Sequence, residues 1–194
     1  GNTKSPQETV EKGIELAQKA LAMDDSLADG HSVLCALYIA KKEFDKAVAE
    51  GERAVAINPG WTLALLNYAN GLTHAGRPEE AIPLFQKAIR LNPFGSSTIY
   101  RELGNALRGA GQFEEAVSAY KKAIQIAPDN ILAHIGLAAA YSEMGREKEA
   151  HAEAAEVLRI NPNFSLDKYA NTVSFKYQSQ KDRVLKALRK AGLK

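Results

Sequence analysis

Apolar residues recur at three- and four-residue steps along most of the chain, which is the spacing of one face of an α-helix. Tyr100, Leu103 and Leu107 form one such run, and a Gly-Ala-Gly turn ends it at residues 109–111. A second run follows and ends at Pro128. Glycine readily leaves helical dihedral angles, and proline cannot continue a helix. The pattern therefore predicts two helices joined by a short turn.

This two-helix unit recurs at a nearly constant period. Successive units end at prolines separated by 34, 35 and 34 residues, namely Pro59, Pro93, Pro128 and Pro162. Aligning the units on these prolines brings small residues of the second helices into one column, namely Ala47, Ala81, Ala116 and Ala150. A small side chain lets two helices approach closely, so we expect this column at the helix–helix contacts.

A helix–turn–helix unit of 34 residues with these columns resembles the tetratricopeptide repeat (TPR). The resemblance implies an all-α fold, a right-handed TPR solenoid of antiparallel helix pairs with a C-terminal capping helix. It covers residues 28–162 as four repeats, with approximate bounds of 28–61, 62–95, 97–130 and 131–164.

Both ends of the chain also have helical patterns. Residues 1–27 resemble a partial repeat with only its second helix, so we expect further sequence upstream. Residues 163–194 predict a helical cap: "FSLDKYANTV" resembles one more first helix, and a closing helix follows. Ser179 and Asp182 have the spacing of a capping box at the start of that last helix.

Two segments have a narrower resemblance. "ELAQKALAMDDSLADGH" and the terminal "NPNFSLDKYA" with "LKALRKAGL" are similar to the TPR region that closes certain bacterial class III adenylate/guanylate cyclase-like proteins. The resemblance implies that this chain is the regulatory C-terminal part of a larger bacterial signalling protein. The catalytic domain of those proteins has no counterpart in this sequence.

Charge and composition argue against several classes of protein. The net charge is +2, which does not indicate a nucleic-acid-binding protein. Basic residues concentrate in residues 176–194, where they interleave with an apolar stripe. This pattern favours the solvated face of a cap, and an anionic partner is the alternative. No apolar run is long enough to span a membrane. A single cysteine and no secretory leader lead us to expect a cytoplasmic protein.

The sequence lacks the usual patterns of catalysis and metal binding. The four histidines do not have zinc-ligand or catalytic spacing, and His31 and His134 share one repeat position, which favours packing. Cys35 lies in a column of small residues on the first helices, so we interpret it as a buried thiol. There is no glycine-rich phosphate loop and no nucleophile elbow. We therefore expect no enzyme activity, no cofactor and no metal.

The remaining candidate site is the concave groove. In TPR arrays the second, fifth, sixth, ninth and twelfth places of the first helices usually point inward, and this assignment rests on the resemblance. In this sequence the candidate residues at those places are Leu63, Leu66, Asn67 and Asn70 in the second repeat, Arg101, Asn105 and Arg108 in the third, and Leu132 and Ile135 in the fourth.

The chemistry of these residues suits an extended peptide. An amide such as Asn70 or Asn105 donates and accepts at once, so it can hold a peptide backbone. Arg101 and Arg108 can hold a carboxylate or phosphate. The aliphatic residues would receive apolar side chains or simply pack on neighbouring repeats. We therefore expect a protein-interaction scaffold that binds a partner protein or peptide. The alternative is a structural module that dimerises or packs on its own upstream domain.

Overall fold

In the computed structural model, which describes residues 5–93 and 95–194, the chain is helical throughout its regular elements. The described residues form eleven α-helices and no β-strand, which confirms the predicted all-α fold. Clustering of contacts divides the chain into unit 1, which ends at Asn92, and unit 2, which begins at Pro93. The helices are α1 (Pro6–Met23), α2 (Ala28–Ala40), α3 (Phe44–Ile57), α4 (Thr62–His74), α5 (Pro78–Leu91), α6 (Ser97–Gly109), α7 (Phe113–Ile126), α8 (Ile131–Glu143), α9 (Glu147–Ile160), α10 (Leu166–Thr172) and α11 (Gln178–Lys190).

A three-residue turn joins the two helices of each repeat. Its middle residue has a positive φ in all four repeats, because the chain must reverse direction there with few residues. Glycine fills the position at Gly76, Gly111 and Gly145, where φ is 81°, 78° and 75°. In the first repeat the same position holds Lys42 with a φ of 63°. A side chain at such a φ is strained, so this turn is less favourable than the other three.

Unit 1 contains α1 and the helix pairs α2–α3 and α4–α5. Ile14 and Ala17 of α1 pack against Leu34 and Tyr38 of α2, so α1 takes the place of a second helix that precedes the first full repeat. The small-residue column is completely buried, as expected from the sequence. Its members in unit 1, Ala47 and Ala81, have no exposed surface, and neither do Ala54 and Ala88 two turns further along the same helices.

The core of unit 2 is built around Tyr120 in α7. Its ring is completely buried and packs between Gly104 of α6 and Gly136 of α8. A Cβ atom on Gly104 would lie 2.7 Å from Tyr120 Cε1, and one on Gly136 would lie 2.5 Å from Tyr120 Cζ. Both distances are shorter than any ordinary contact, so these positions admit only glycine while the ring stays in place.

The C-terminal segment differs from a further repeat. Its first helix, α10, has only seven residues, and α11 packs on α8. The capping box predicted from Ser179 and Asp182 is wrong, because α11 begins at Gln178 and its N-cap residue makes no side-chain hydrogen bond. The side chain of Asp182 instead accepts a hydrogen bond from Gln178 Nε2 at 2.8 Å. The backbone N–H of Leu166 donates to the carbonyl oxygen of Lys194 at 2.7 Å, which ties the two ends of this segment together.

None of the helices within residues 5–93 and 95–194 combines the length and hydropathy that crossing a membrane requires.

Candidate protein-interaction faces

In unit 1 the first helices α2 and α4 pack side by side and expose a partly apolar face. Leu63 begins this face on α4 and has 51% of its surface exposed, while Leu66 and Asn70 follow one and two turns later and are half-buried. On α2, Val33 is 48% exposed and Ala36 is exposed as well. We call these five residues the α2–α4 face. A large exposed aliphatic on each of two adjacent helices makes the face suitable for apolar side chains of a partner.

The two asparagines of α4 have different roles. Asn67 Nδ2 donates to Ser32 Oγ at 2.9 Å and to the Ser32 carbonyl oxygen at 3.2 Å. The carbonyl oxygen of Asn67 also accepts from Cys35 Sγ at 3.2 Å. Asn67 therefore joins α4 to α2. The Asn70 side chain makes no hydrogen bond to any of the residues that the structure describes, so its amide is available to a ligand.

In unit 2 the candidate polar residues of α6 bind one another. Arg101 Nη2 lies 2.6 Å from Glu102 Oε1, and Asn105 Nδ2 donates to Glu102 Oε2 at 2.9 Å. The other end of the Asn105 amide accepts a hydrogen bond from the Tyr120 hydroxyl at 2.7 Å. The Asn105 amide thus has a protein partner at both its donor and its acceptor atom, unlike that of Asn70.

Arg108 is buried and paired at the end of α6. Only 5% of its surface is exposed, and its Nη1 donates to Glu143 Oε2 at 3.1 Å. Burial opposes the charge of the guanidinium, but Tyr120 and Glu143 more than offset this, so the pKa of Arg108 is raised above its usual value. The second oxygen of Glu143 lies 3.0 Å from Arg183 Nε of α11. Arg108 and Glu143 therefore form a buried ion pair that α11 extends.

The C-terminal segment covers the corresponding face of α8. Ile135 is 2% exposed, whereas Leu132 at the start of the helix is 42% exposed. Tyr169 of α10 lies near the arginines of α6: burial raises the pKa of Tyr169, and the charges of Arg108 and Arg101 oppose this rise. Of the candidate residues in unit 2, only Leu132 is largely open to solvent.

The histidines at the shared repeat position are buried, and each also joins the two helices of its repeat. His31 Nδ1 lies 2.6 Å from Glu50 Oε2, and His134 Nδ1 lies 2.6 Å from Glu153 Oε2. The other ring nitrogen of each faces a backbone carbonyl oxygen. Sequence reasoning missed these histidine–glutamate hydrogen bonds, although a glutamate occurs 19 residues after the histidine in both repeats.

Cys35 lies in the core of unit 1 with no exposed surface. Burial raises the pKa of its thiol to about 12, and the nearby Glu50 carboxylate adds to the rise. A thiol with so high a pKa is protonated at neutral pH and is a poor nucleophile.

These features define a helical-repeat protein built from antiparallel helix pairs, and comparison with known proteins identifies the repeat. One tetratricopeptide-repeat family model matches residues 61–129, and another matches residues 107–171. Together they identify tetratricopeptide repeats in residues 61–171 of the chain. Such repeats generally serve as scaffolds for protein interactions. No curated protein matches the chain.

Solved structures with the same fold cover most of the chain. PilW, a type IV pilus biogenesis factor, aligns with a TM-score of 0.76 at 20% identity over 95% of this chain and 82% of its own. MamA from Desulfovibrio magneticus RS-1 aligns with a TM-score of 0.71 at 17% identity, covering 79% and 86%. YrrB aligns with a TM-score of 0.64 at 21% identity, covering 92% and 91%. At these identities the likeness shows the fold alone, and the resemblance of the tail to cyclase-associated repeats finds no support in these matches.

Proposed function

We propose that the α2–α4 face of unit 1 binds an extended segment of a partner protein. The observation that carries this proposal is the position of Asn70, which has no partner among the described residues and follows the exposed Leu63 on the same helix face. The fold is compatible with peptide binding, since YrrB is described as a TPR protein with an unusual peptide-binding site.

Each residue of the face would have a simple task. Leu63 and Leu66 would receive apolar side chains of the segment, with Val33 contributing from α2. Fully burying a leucine is worth about 1.5–3 kcal/mol, so the half of Leu63 that is still exposed accounts for about 1 kcal/mol. The Asn70 amide would donate to and accept from the peptide backbone, at about 0.5–1.5 kcal/mol for each bond. Together these contacts contribute about 3–5 kcal/mol, which suits a weak and reversible interaction.

The candidate residues of unit 2 would contribute differently. Arg101, Asn105 and Arg108 bind groups of their own unit, and Ile135 is covered, so a ligand would reach them only after those contacts are broken. Leu132 is accessible without rearrangement. The α2–α4 face is therefore the surface that is ready to bind.

Selection from a phage-displayed library of random dodecapeptides would supply a ligand, whose affinity is then measured by calorimetry. We expect Leu63→Glu to weaken binding by about tenfold or more, because it places a charge where apolar burial is needed. Asn70→Ala should weaken it about threefold to tenfold. The matched control is Leu91→Glu, which changes a leucine of unit 1 that is 50% exposed but lies on the second helix α5. Equal affinities for Leu63→Glu and Leu91→Glu would refute the proposal.

A second candidate function is self-association or packing on a further domain of the same protein. The supporting observation is the apolar surface near the N-terminus, where Leu16 is 56% exposed, Met23 is 90% exposed and Leu27 is 40% exposed. Sedimentation velocity of the chain and of Leu16→Glu tests this directly. A dimer that Leu16→Glu dissociates would support it, whereas a monomer at all concentrations would count against dimerisation. The setting in a larger bacterial signalling protein is proposed from the two sequence segments alone, and the cytoplasmic location from the single cysteine and the lack of a leader pattern.

A further inference from the structure

The last helix of unit 2 occupies a surface that an ordinary repeat leaves open. Within each unit, a first helix packs on the second helix before it, as α4 packs on α3 and α8 packs on α7. Helix α11 instead packs on the first helix α8. Near the N-terminal end of α11, Arg183 Nη2 donates to the carbonyl oxygen of Arg108 in α6 at 3.3 Å. Only its C-terminal end reaches the start of α9, through Lys190 Nζ at 3.1 Å from Glu147 Oε1. α11 therefore covers the ends of two first helices.

The covered surface and α11 are complementary in charge and hydropathy. The surface presents the carboxylates of Glu143 and Glu147, and α11 places Arg183 and Lys190 against them. Between these two basic residues, α11 buries an apolar stripe that includes Leu188, which has no exposed surface. A site of this kind selects a basic amphipathic helix.

The fit of α11 to this surface leaves polar groups unsatisfied. Arg108 Nε, Ser142 Oγ and Gln180 Oε1 are buried and have no hydrogen-bond partner among the described residues. Arg108 and Ser142 are each more than nine-tenths buried. Buried polar groups are nearly always hydrogen-bonded, so a helix that supplied partners to Arg108 Nε and Ser142 Oγ would bind better than α11 does.

A non-helical connection joins α11 to the rest of unit 2. Residues 173–177 lie outside any helix and join the short α10 to α11. The N-cap residue of α11 makes no side-chain hydrogen bond, so this helix start lacks the usual stabilisation by a cap. Helices α6 to α9 form their own two repeats and contact one another directly.

We propose that this surface, which we define by Arg108, Ser142 and Glu143 and call the inner face of unit 2, is a docking site for a basic amphipathic helix of a partner protein. In this structure α11 holds the site as an intramolecular competitor. Because a short linker keeps α11 at an effective concentration of about millimolar, a partner helix must compete with it, and weakening α11 opens the site. The proposal is independent of the α2–α4 face, which lies in the other unit and takes an extended segment.

The test uses the full chain and a fluorescent peptide with the sequence of residues 178–194 as the probe. Fluorescence anisotropy measures binding of this peptide to the wild type, to Arg183→Glu and to Lys186→Glu. Arg183→Glu removes the contact with Glu143 and sets two like charges beside each other, whereas Lys186→Glu makes the same charge change on an exposed position of α11. We expect Arg183→Glu to bind the peptide about tenfold more tightly than the wild type, and Lys186→Glu to bind as the wild type does.

Adding Glu143→Gln to Arg183→Glu should weaken peptide binding again, because the docking site then lacks the carboxylate that receives the arginine of the probe. Equal binding by Arg183→Glu and Lys186→Glu would overturn the proposal. Hydrogen exchange of the wild-type chain gives a second test that does not depend on any variant. We expect the amides of α11 to exchange faster than those of α8 through a local opening. Exchange of α11 and α8 at one common rate would also overturn the proposal.

Discussion

Gly136→Ala is expected to destabilise unit 2, although alanine is normally the better residue in a helix. The added Cβ would lie 2.5 Å from Tyr120 Cζ and 2.9 Å from the Tyr120 hydroxyl oxygen. Carbon atoms in contact lie about 3.5–4.0 Å apart, so the ring or α8 must move by about 1 Å. The ring has no free space to enter, because it is completely buried and Gly104 packs against its other side.

Two costs and one gain determine how much Gly136→Ala lowers the free energy of unfolding. Overpacking a well-packed core costs about 1–3 kcal/mol. Displacing the ring also strains or breaks the 2.7 Å hydrogen bond from the Tyr120 hydroxyl to Asn105, which is worth about 0.5–1.5 kcal/mol. Replacing glycine by alanine within a helix offsets about 1 kcal/mol. We therefore expect a net loss of about 0.5–3.5 kcal/mol in the free energy of unfolding of unit 2.

Urea unfolding followed by far-ultraviolet circular dichroism measures this loss. The matched control is Gly71→Ala in α4, where the nearest atom to an added Cβ is 3.6 Å away, an ordinary contact. Gly71→Ala should therefore raise the free energy of unfolding by up to about 1 kcal/mol. In a Tyr120→Leu background, Gly136→Ala should cost less than it does in the wild type, because the ring that it meets is gone. A Gly136→Ala variant as stable as Gly71→Ala would refute this account of the core.

Three further predictions concern single residues. Both ring nitrogens of His134 face acceptors, the Glu153 carboxylate and the Pro128 carbonyl oxygen, and the bond to Glu153 raises the pKa of His134 above 6.5. The protonated His134 therefore stabilises the folded state fully below pH 6.5, and this contribution is lost as the pH rises through the raised pKa of His134. His134→Gln should flatten this part of the pH profile of the free energy of unfolding in urea. Lys42→Gly should stabilise the protein by about 0.5–1 kcal/mol, measured as a higher urea midpoint, because it relieves a positive φ. Cys35 should react with iodoacetamide at pH 8 much more slowly in the folded chain than in urea, since burial raises its pKa to about 12.

The repeat architecture could be predicted because it depends on local signals that recur. Prolines and glycines end helices through their own backbone chemistry, whatever surrounds them. The alanine columns recur because the same helix–helix contact occurs in each repeat, so repetition shows which positions are buried. Lys42 is the exception among the turns, since the repeat period predicts the turn there but not a lysine with a positive φ.

The roles of individual site residues could not be predicted, because they depend on contacts between helices. Asn67 and Asn70 are the same residue type on one helix, yet Asn67 bonds to α2 and Asn70 does not. Likewise, the apolar stripe of α11 indicates that one side of the helix is buried, but many apolar surfaces would accept such a stripe. Its position on α6 and α8 depends on the pairing of Arg183 with Glu143, which are far apart in sequence.

The proposed binding face can be tested most directly by methyl NMR of the full chain with labelled leucine methyl groups, titrated with a peptide selected from the random library. We expect saturable shifts of the Leu63 and Leu66 methyl signals, while the signals of Leu16 and Leu91 stay unchanged. Shifts confined to Leu16 or to leucines of unit 2, with Leu63 and Leu66 unaffected at saturation, would contradict the assignment of the α2–α4 face as the binding surface.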